Sequence, residues 1–367
     1  MRIVKVDAIP VSIPLRKPFT IAGGTSSHLR HLITRVHTDE GIVGIGEAAP
    51  TPTYSEETQR GAKAVIDECL APVILGESPL HLEEITHRMD EAIPGHTLAK
   101  AGVEIAIWDA LGKHLKLPVY EFLGGSHKDK IPVAGSISMG TPEEMSRDAL
   151  GYVEEGFTDL KVKIGRNPDL DAEAIAAIRD AVGSKVKIRL DANQGYTKDV
   201  AIKTLRRMER YDLQLIEQPV DRRDFEAMRE IRLALETPIS ADEGVFTPRD
   251  AVEAIRRSAV DIINVKVMKP GGLYNARKIL YIAEAAGIPC LVGSMSEMDP
   301  GTAAGIHFAV SYRNIRYASE MFGPSVLTDF IAKNPIKVEG GFLGVPRGPG
   351  FGVELDEEKI QRYSRGT

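Results

Sequence analysis

The 367-residue sequence is poor in the features that mark secreted or membrane-spanning proteins. Its two cysteines, Cys69 and Cys290, lie far apart and lack the spacing of a metal site, so we predict buried thiols and not a disulfide. No apolar run approaches the roughly 20 residues that a membrane span needs, and residues 1–7 lack the apolar core of a secretion signal. These features predict a cytoplasmic protein without a membrane partner.

The sequence also lacks a strong charge of either sign. The formal net charge is -6 and no basic cluster stands out, which argues against nucleic acid as a partner. With 43% hydrophobic and 27% charged residues, the composition is that of an ordinary globular protein. The length allows one large domain and a smaller one.

The order of the predicted elements divides the chain. Residues 1 to about 50 alternate as antiparallel strands do, with a hairpin turn at residues 39–41, and residues 55–123 have helical spacing. Strands followed by helices favour a separate α+β unit. Residues 18–27, rich in Gly and Ser, predict either a plain surface loop or a mobile lid over a site.

Five short apolar segments follow, and each ends in ionisable residues. Their ends recur every 24 to 28 residues, which is one strand, one loop and one helix of a β/α barrel. The ends lie at Lys163, Asp191, Glu217, Asp242 and Lys266. Since strand C-terminal ends surround the mouth of such a barrel, these side chains should share one rim.

The three carboxylates of this rim predict a metal site. Asp191, Glu217 and Asp242 would repel one another if ionised and unpaired, and a divalent cation resolves the repulsion. Oxygen ligands suit Mg²⁺ or Mn²⁺. The alternative is that each acid caps a helix or pairs with an arginine. Asn193, on the same side of its strand as Asp191, should help to orient the metal ligands.

The lysines predict acid/base chemistry. Lys161 and Lys163 project to one face of their strand, where two neighbouring ammonium groups should lower each other's pKa. Lys266 approaches from the other side of the acids, so Lys163 and Lys266 would bracket a carbon held between them. We predict proton abstraction next to a carboxylate, with an enolate stabilised electrostatically.

The motifs resemble those of a known family. The set Lys-x-Lys, Asp-x-Asn, Glu-Gln-Pro, Asp-Glu and Asn-Val-Lys is similar to that of the enolase superfamily, muconate lactonizing enzyme subgroup. The resemblance implies an α/β fold, a modified TIM barrel (β/α)7β with an N-terminal α+β capping domain completed by the C-terminal tail. We therefore expect a capping domain at 1–125 with tail 335–367, and a barrel domain at 126–334.

The resemblance also implies roles for individual residues. Lys163 and Lys266 would be the acid/base pair, and Asp191, Glu217 and Asp242 the Mg²⁺ ligands. Lys161 would help to hold the carboxylate of a small substrate, and barrels of this family are often homo-oligomers. The remaining expected residues are grouped by role: Tyr54, Glu297 and Glu320 as substrate-binding residues, and Asn193 and Glu243 as neighbours that orient the metal ligands.

The substrate is harder to assign. Residues 266–272, 319–324 and 345–362 are similar to muconate cycloisomerases, and the Asp-x-Asp of dipeptide epimerases is replaced by Ser319-Glu320-Met321. In contrast, residues 18–22, 52–54 and 95–97 resemble hydroxyproline-betaine epimerase relatives. The leading prediction is a Mg²⁺-dependent isomerase most like a muconate cycloisomerase. The alternative is an epimerase or racemase of an amino-acid derivative such as a dipeptide, an N-acyl amino acid or a proline betaine.

Two other classes stay open at this point. A Schiff-base aldolase would use Lys163 or Lys266 but has no need for three carboxylates. A barrel that only binds a small acid would need none of the acid/base residues.

Overall fold

The chain begins with an antiparallel sheet. In the computed structural model, which describes residues 1–365, this sheet consists of β1 (Ile3–Ile21), β2 (Gly24–Thr38) and β3 (Val43–Ala48), in that spatial order. The turn between β2 and β3 lies at residues 39–41, where the sequence predicts it.

The end of the first hairpin differs from the prediction. Residues 18–27 were expected to form an irregular loop or lid, but Phe19 pairs with Ser26 and Ile21 with Gly24. Backbone pairing continues because the chain turns within two residues at the tip. Thr20 also binds the barrel, since its N–H donates to Ser138 Oγ at 2.8 Å and its carbonyl accepts from the N–H of Met139 at 3.1 Å.

Helices then cover one face of this sheet. They are α1 (Pro52–Ser55), α2 (Gln59–Val65), a π-helical turn (Ile66–Leu70), α3 (Ala71–Ile74), α4 (Leu82–Ala92), α5 (Thr97–Leu115) and α6 (Val119–Leu123). The close approach of α5 to β3 depends on glycine. A Cβ at Gly44 or Gly46 would lie 1.9 Å or 2.2 Å from a backbone carbonyl oxygen of α5.

A curled parallel sheet of seven strands forms the second part. Its spatial order follows the chain order in reverse, so every strand neighbours the next one along the chain. After the short β4 (Lys130–Pro132), the strands are β5 (Gly135–Ile137), β6 (Asp159–Lys163), β7 (Lys187–Asp191), β8 (Leu213–Glu217), β9 (Ile239–Ala241), β10 (Ile262–Asn264) and β11 (Cys290–Leu291).

Helices connect these strands and several begin with a proline in the first turn, which suits a position that lacks an N–H partner. Thr141 caps the first of them in a box with Glu144. The helices are α7 (Pro142–Glu154), α8 (Pro168–Val182), α9 (Lys198–Met208) with a 3₁₀ turn (Glu209–Tyr211), α10 (Phe225–Ala234), α11 (Pro248–Arg256), α12 (Leu273–Ala285) and α13 (Asp299–Ser311).

Residues 315–320 close the barrel through single bridges. Ile315 pairs in parallel with Cys290, and Ser319 pairs in parallel with Val133. The segment thus bonds to both edges of the curled sheet without forming a continuous strand.

The tail returns to earlier parts of the chain. After α14 (Gly323–Val326), β12 (Val338–Glu339) pairs with β13 (Phe342–Gly344), and β13 pairs with β4. The last helix, α15 (Glu357–Ser364), places Ile360 in a cluster with buried residues of β1. The fold is therefore mixed α/β, with a curled parallel sheet and a separate N-terminal antiparallel sheet; the exact domain limits stay predictions.

Two further predictions concern the cysteines and membrane-spanning helices. Cys69 and Cys290 are free thiols, as predicted, but only Cys290 is buried and Cys69 is half-buried. Within residues 1–365 no helix combines the length and apolar character needed to cross a membrane.

Candidate active site

The barrel strands bring the predicted rim residues together. Lys163, Asp191 and Glu217 are the last residues of three adjacent strands and pair in register with one another. Asp242 follows β9 directly, and Lys266 lies two residues beyond β10. All five are buried. They share one edge because the C-terminal ends of parallel strands meet there.

Lys161 lies among acids. Its Nζ is 2.8 Å from Glu217 Oε1 and 2.9 Å from Asp191 Oδ2, and it also binds Glu320. Burial alone would lower the pKa of Lys161, but the charges of these carboxylates outweigh it and raise the pKa well above its usual value. The structure does not show the predicted lowering of the pKa at Lys161, because three carboxylates surround its ammonium group. The lowering predicted next to a bound divalent cation stays a prediction.

Lys163 contacts the same oxygen of Asp191 as Lys161 does. Its Nζ lies 2.5 Å from Asp191 Oδ2 and 2.9 Å from Asn193 Oδ1. The amide of Asn193 in turn donates to Glu243 Oε1 at 2.9 Å. Asn193 thus joins Lys163 to Glu243. Burial and the nearby Asp242 raise the pKa of Glu243 to about 7.

Lys266 is held by a different carboxylate. Its Nζ lies 2.6 Å from Asp242 Oδ2 and 4.4 Å from the centre of the Tyr54 ring. The Tyr54 hydroxyl donates to Asp242 Oδ1 at 2.8 Å. Burial alone would raise the pKa of Asp242, but Lys266 and Lys269 outweigh it and hold the pKa well below its usual range.

Lys269 was not identified as a site residue from the sequence. It is fully buried, and its Nζ donates to Asp242 Oδ1 at 2.8 Å, to the Asp242 carbonyl at 2.6 Å and to the Asn264 carbonyl at 2.8 Å. The available signal was its position three residues after Lys266, within the segment that resembles cycloisomerases.

Arg189 was missed as well. This buried side chain donates from Nη1 to Glu320 Oε1 at 3.1 Å and from Nη2 to Asp159 Oδ1 at 3.1 Å. It precedes Asp191 by two residues, so strand alternation places both on one face. Burial alone would raise the pKa of Glu320, but Lys161 and Arg189 outweigh it and lower the pKa.

The carboxylate oxygens of Asp191, Glu217 and Asp242 are donors of the type that a hard divalent cation prefers. Glu217 Oε2 is buried with no hydrogen-bond partner in the described part of the chain, and burial and Glu320 raise the pKa of Glu217 well above its usual range. As the side chains lie, no three acidic, His or Cys groups among residues 1–365 have the spacing of a metal site. Lysine ammonium groups lie between the carboxylates, so a cation would compete with lysines for oxygen ligands.

A cavity of about 180 Å³ lies above these groups. The β1–β2 hairpin covers one side, where Phe19 stacks on Phe322 at 5.8 Å. The lining residues are Phe19, Ile21, Gly24, Thr25, Ser26, Leu29, Thr51, Thr53, Tyr54, Lys161, Lys163, Asn193, Lys266, Ser294, Met295, Ser296 and Phe322.

Two of the expected substrate-binding residues do not line this cavity. Glu297 is buried and accepts from the N–H of Met295 at 2.7 Å, and burial raises its pKa to about 7. Glu320 is bound by Lys161 and Arg189 beneath the cavity. Their role in substrate binding stays a prediction, whereas Tyr54 and Lys161 do reach the cavity.

Family models match most of the chain. Residues 3–124 match "Mandelate racemase / muconate lactonizing enzyme, N-terminal domain". Residues 144–359 match "Enolase C-terminal domain-like".

Similar proteins have different activities. An L-Ala-D/L-Glu epimerase of Bacillus subtilis (strain 168) is 38% identical over 96% of this chain and 97% of its own. The structure of an N-succinyl Arg/Lys racemase from Bacillus cereus ATCC 14579 matches with a TM-score of 0.96 and 35% identity, over 99% of this chain and 98% of that one. A 2-chloromuconate cycloisomerase from Rhodococcus opacus 1CP matches with a TM-score of 0.97 and 31% identity over 100% of both chains.

Magnesium occurs among these neighbours. A dipeptide epimerase from Enterococcus faecalis V583, complexed with Mg and the dipeptide L-Leu-L-Tyr, matches with a TM-score of 0.93 and 34% identity over 96% of this chain and 100% of that one. Both halves of the chain match the same group of isomerases along nearly their whole length. The chain therefore belongs to the mandelate racemase/muconate lactonizing enzyme family of the enolase superfamily and is an isomerase.

Proposed function

We propose that the chain is a Mg²⁺-dependent racemase or epimerase that acts on the carbon next to the carboxylate of an N-acylated amino acid. One observation carries this proposal. Lys163 and Lys266 both line the cavity. Asp191 at the end of β7 holds Lys163, and Asp242 after β9 holds Lys266, so the two amines are held at different strands.

Two amines allow proton transfer between the two faces of one carbon. One lysine, unprotonated, takes the α-proton as the C–H bond breaks and the electron pair moves into the substrate's enolate. The other lysine, as an ammonium, gives a proton to the opposite face of the same carbon, which inverts its configuration. Protons and charge balance over the cycle because each lysine exchanges its state with the other.

The acids of the rim have a separate role. Asp191, Glu217 and Asp242 would hold Mg²⁺, with Asn193 and Glu243 orienting them. A bound Mg²⁺ supplies positive charge next to the substrate carboxylate, where negative charge grows on the enolate. Lys161 adds a fixed positive charge on the same side of the cavity.

The charges around the cavity favour an uncharged substrate nitrogen. Among its described lining residues the charged ones are Lys161, Lys163 and Lys266, and none is Asp or Glu. A substrate ammonium group would face lysines and no acidic side chain on the described cavity wall, which disfavours it. An acylated nitrogen carries no charge, and the apolar wall formed by residues such as Phe19 and Leu29 suits an acyl chain.

A muconate-type cycloisomerase is the second candidate. The segment Ser319-Glu320-Met321 favours it, because this segment stands where dipeptide epimerases are expected to have an acidic pair. The single acid of the segment, Glu320, is already bound by Lys161 and Arg189. A cycloisomerase needs only one amine at the reacting carbon, so the second lysine would have no proton to transfer.

Incubation in D₂O tests the proposal. N-acyl derivatives of L- and D-amino acids, with Mg²⁺, should each gain deuterium at the α-carbon in proton NMR spectra while chiral chromatography shows inversion. Loss of cis,cis-muconate absorbance without deuterium exchange into any N-acyl amino acid would instead support the cycloisomerase. Exchange confined to substrates with a free ammonium would overturn the assignment to acylated substrates.

A further inference from the structure

The two oxygens of the Asp242 carboxylate differ in what holds them. Oδ1 accepts from the Tyr54 hydroxyl at 2.8 Å and from Lys269 Nζ at 2.8 Å. Because a carboxylate oxygen offers two lone-pair sites, these donors use both sites of Oδ1. Oδ2 is buried and lies 2.6 Å from Lys266 Nζ in an ion pair, with no aligned hydrogen-bond partner within residues 1–365. The oxygen that Asp242 can offer to a further ligand is therefore Oδ2.

Glu217 on the neighbouring strand shows the same division. Its Oε1 accepts from Lys161 Nζ at 2.8 Å and from Asn264 Nδ2 at 3.2 Å. Its Oε2 is buried and has no hydrogen-bond partner in the part of the chain that the structure describes. Since β8 and β9 pair in parallel, both acids lie at one edge of the sheet. Each acid thus presents one free oxygen, while protein donors occupy the other.

Lys269 has no donor left for a substrate. Its ammonium group has three donors, and they bond to Asp242 Oδ1, to the Asp242 carbonyl at 2.6 Å and to the Asn264 carbonyl at 2.8 Å. The side chain is fully buried and does not line the cavity above the rim. Because two of these bonds go to Asp242, holding the carboxylate of Asp242 is the function that its position allows.

Divalent cations differ in how they use such carboxylates. Mg²⁺ demands near-ideal octahedral geometry, whereas Ca²⁺ takes more oxygen ligands and often binds both oxygens of one carboxylate. A carboxylate with one oxygen fully used by protein donors can give a cation only its other oxygen. This arrangement suits Mg²⁺ and removes a binding mode that Ca²⁺ favours.

We propose that Lys269 and Tyr54 select the cation of this site. By occupying Asp242 Oδ1 they restrict Asp242 to a single oxygen ligand and thereby favour Mg²⁺ over Ca²⁺. Both act through Asp242 and are positioning residues for the metal. The inference rests on the proposed function in one respect, that Asp242 is a metal ligand, and it adds the residues that discriminate between ions.

Cation titration without substrate tests this proposal. Isothermal titration of EDTA-treated protein with Mg²⁺ and with Ca²⁺ gives the ratio of the two dissociation constants, Ca²⁺ over Mg²⁺. Lys269→Met and Tyr54→Phe should each lower this ratio about threefold, and the double variant about tenfold, because a freed Oδ1 allows bidentate binding. The loss of the Lys269 charge acts alike on two ions of equal charge, so it cancels in the ratio.

Lys266→Met is the matched control. It also removes an ammonium group beside Asp242, but from the ion pair with Oδ2. It should change the affinity for both ions by the same factor and leave the ratio as in the wild type. Circular dichroism of each variant shows whether the fold is kept.

An unchanged ratio in the double variant overturns the proposal, as does an equal fall in Lys266→Met or a wild type that binds neither ion. If the double variant does not fold, the two single variants decide the question in the same way. Exchange of the α-proton by the Mg²⁺-loaded wild type judges the proposed reaction separately. Exchange with an unresponsive ratio keeps the reaction and excludes the selection, whereas a responsive ratio without exchange supports the selection and excludes the reaction.

Discussion

The hydroxyl of Tyr54 donates a 2.8 Å hydrogen bond to Asp242 Oδ1, so a residue next to the N-terminal sheet fixes a carboxylate at the end of a barrel strand. The Tyr54 ring also lies 4.4 Å from Lys266 Nζ and packs on Phe246 at 5.5 Å. One side chain from the first part of the chain therefore orients both an acid and a lysine of the candidate active site.

Replacing Tyr54 by Phe should separate this orienting role from general stability. Loss of the bond to a buried carboxylate should lower the free energy of unfolding by about 1–3 kcal/mol. It should also lower kcat/KM roughly ten- to hundredfold, because Asp242 and Lys266 lose a positioning contact. Denaturant unfolding and α-proton exchange rates measure the two effects.

Tyr196→Phe is the matched control. The Tyr196 hydroxyl also bonds a buried carboxylate, Asp171 Oδ2, at 2.6 Å, but it does not line the cavity. The Tyr196→Phe substitution should lower the free energy of unfolding by a similar amount and leave kcat/KM near the wild-type value. Equal kinetic losses in both variants would contradict the orienting role of Tyr54.

Replacing Lys163 and replacing Lys266 should abolish α-proton exchange of opposite enantiomers. Lys163→Ala and Lys266→Ala should each slow racemisation by about 10²–10⁴-fold, since each removes one of the two acid/base groups. Each variant should still exchange the α-proton of one enantiomer in D₂O, and the enantiomer should differ between the two. Proton NMR of separate L- and D-substrates measures this.

Lys198→Ala serves as the control, because Lys198 pairs with Glu230 on the barrel exterior. It should leave both exchange rates unchanged. If both active-site variants retain exchange of the same enantiomer, the lysines do not work from opposite faces.

Replacing Glu217 should weaken Mg²⁺ binding more than it lowers the stability of the metal-free fold. Burial and the neighbouring Glu320 raise the pKa of Glu217 and so favour its neutral form. Glu217→Gln therefore replaces it by a neutral group of the same shape and should leave the metal-free protein folded. Mg²⁺ at a hundredfold excess over its Kd should stabilise the wild type by about 2.7 kcal/mol. Thermal or chemical unfolding of EDTA-treated protein, with and without added Mg²⁺, measures this stabilisation. The variant should lose most of it.

Asp171→Asn changes a buried acid outside the rim and should keep the full response to Mg²⁺. A Glu217→Gln protein that Mg²⁺ stabilises as much as the wild type would show that Glu217 is not a ligand.

Glu104 should make stability depend on pH. This buried carboxyl of α5 accepts from Trp108 Nε1 at 2.6 Å and from the first N–H groups of α12, at Leu273 and Tyr274. Burial outweighs these bonds and raises its pKa from 4.5 to about 7. The folded state therefore holds this proton more tightly than the unfolded state does, so its stabilising contribution is complete below pH 4.5 and is lost as the pH rises to about 7.

Comparison with Glu104→Gln tests the sign. Relative to this variant, the wild type should lose up to about 3 kcal/mol of unfolding free energy between pH 4.5 and pH 7 and little more above it. Glu68→Gln, an exposed substitution, should show no such trend. A stability difference that grows in the opposite direction with pH would contradict the raised pKa.

Much of the architecture could be predicted from the sequence because it depends on local spacing. Ionisable residues that recur every 24 to 28 residues at strand ends determine a β/α barrel and bring Lys163, Asp191, Glu217, Asp242 and Lys266 to one rim. The barrel repeats a single unit, so the position of each residue within its own unit is enough to place it.

Other features were decided only by the tertiary structure. The strand register that surrounds Lys161 with acids, the pairing of Phe19 with Ser26, and the contact of Tyr54 with Asp242 all join segments whose relation no spacing rule specifies. The same holds for Arg189 and Lys269, whose charges are buried because partners from other strands neutralise them or accept their hydrogen bonds. Local spacing fixes the strand end on which a residue lies, whereas long-range packing selects its partner and thereby its charge state.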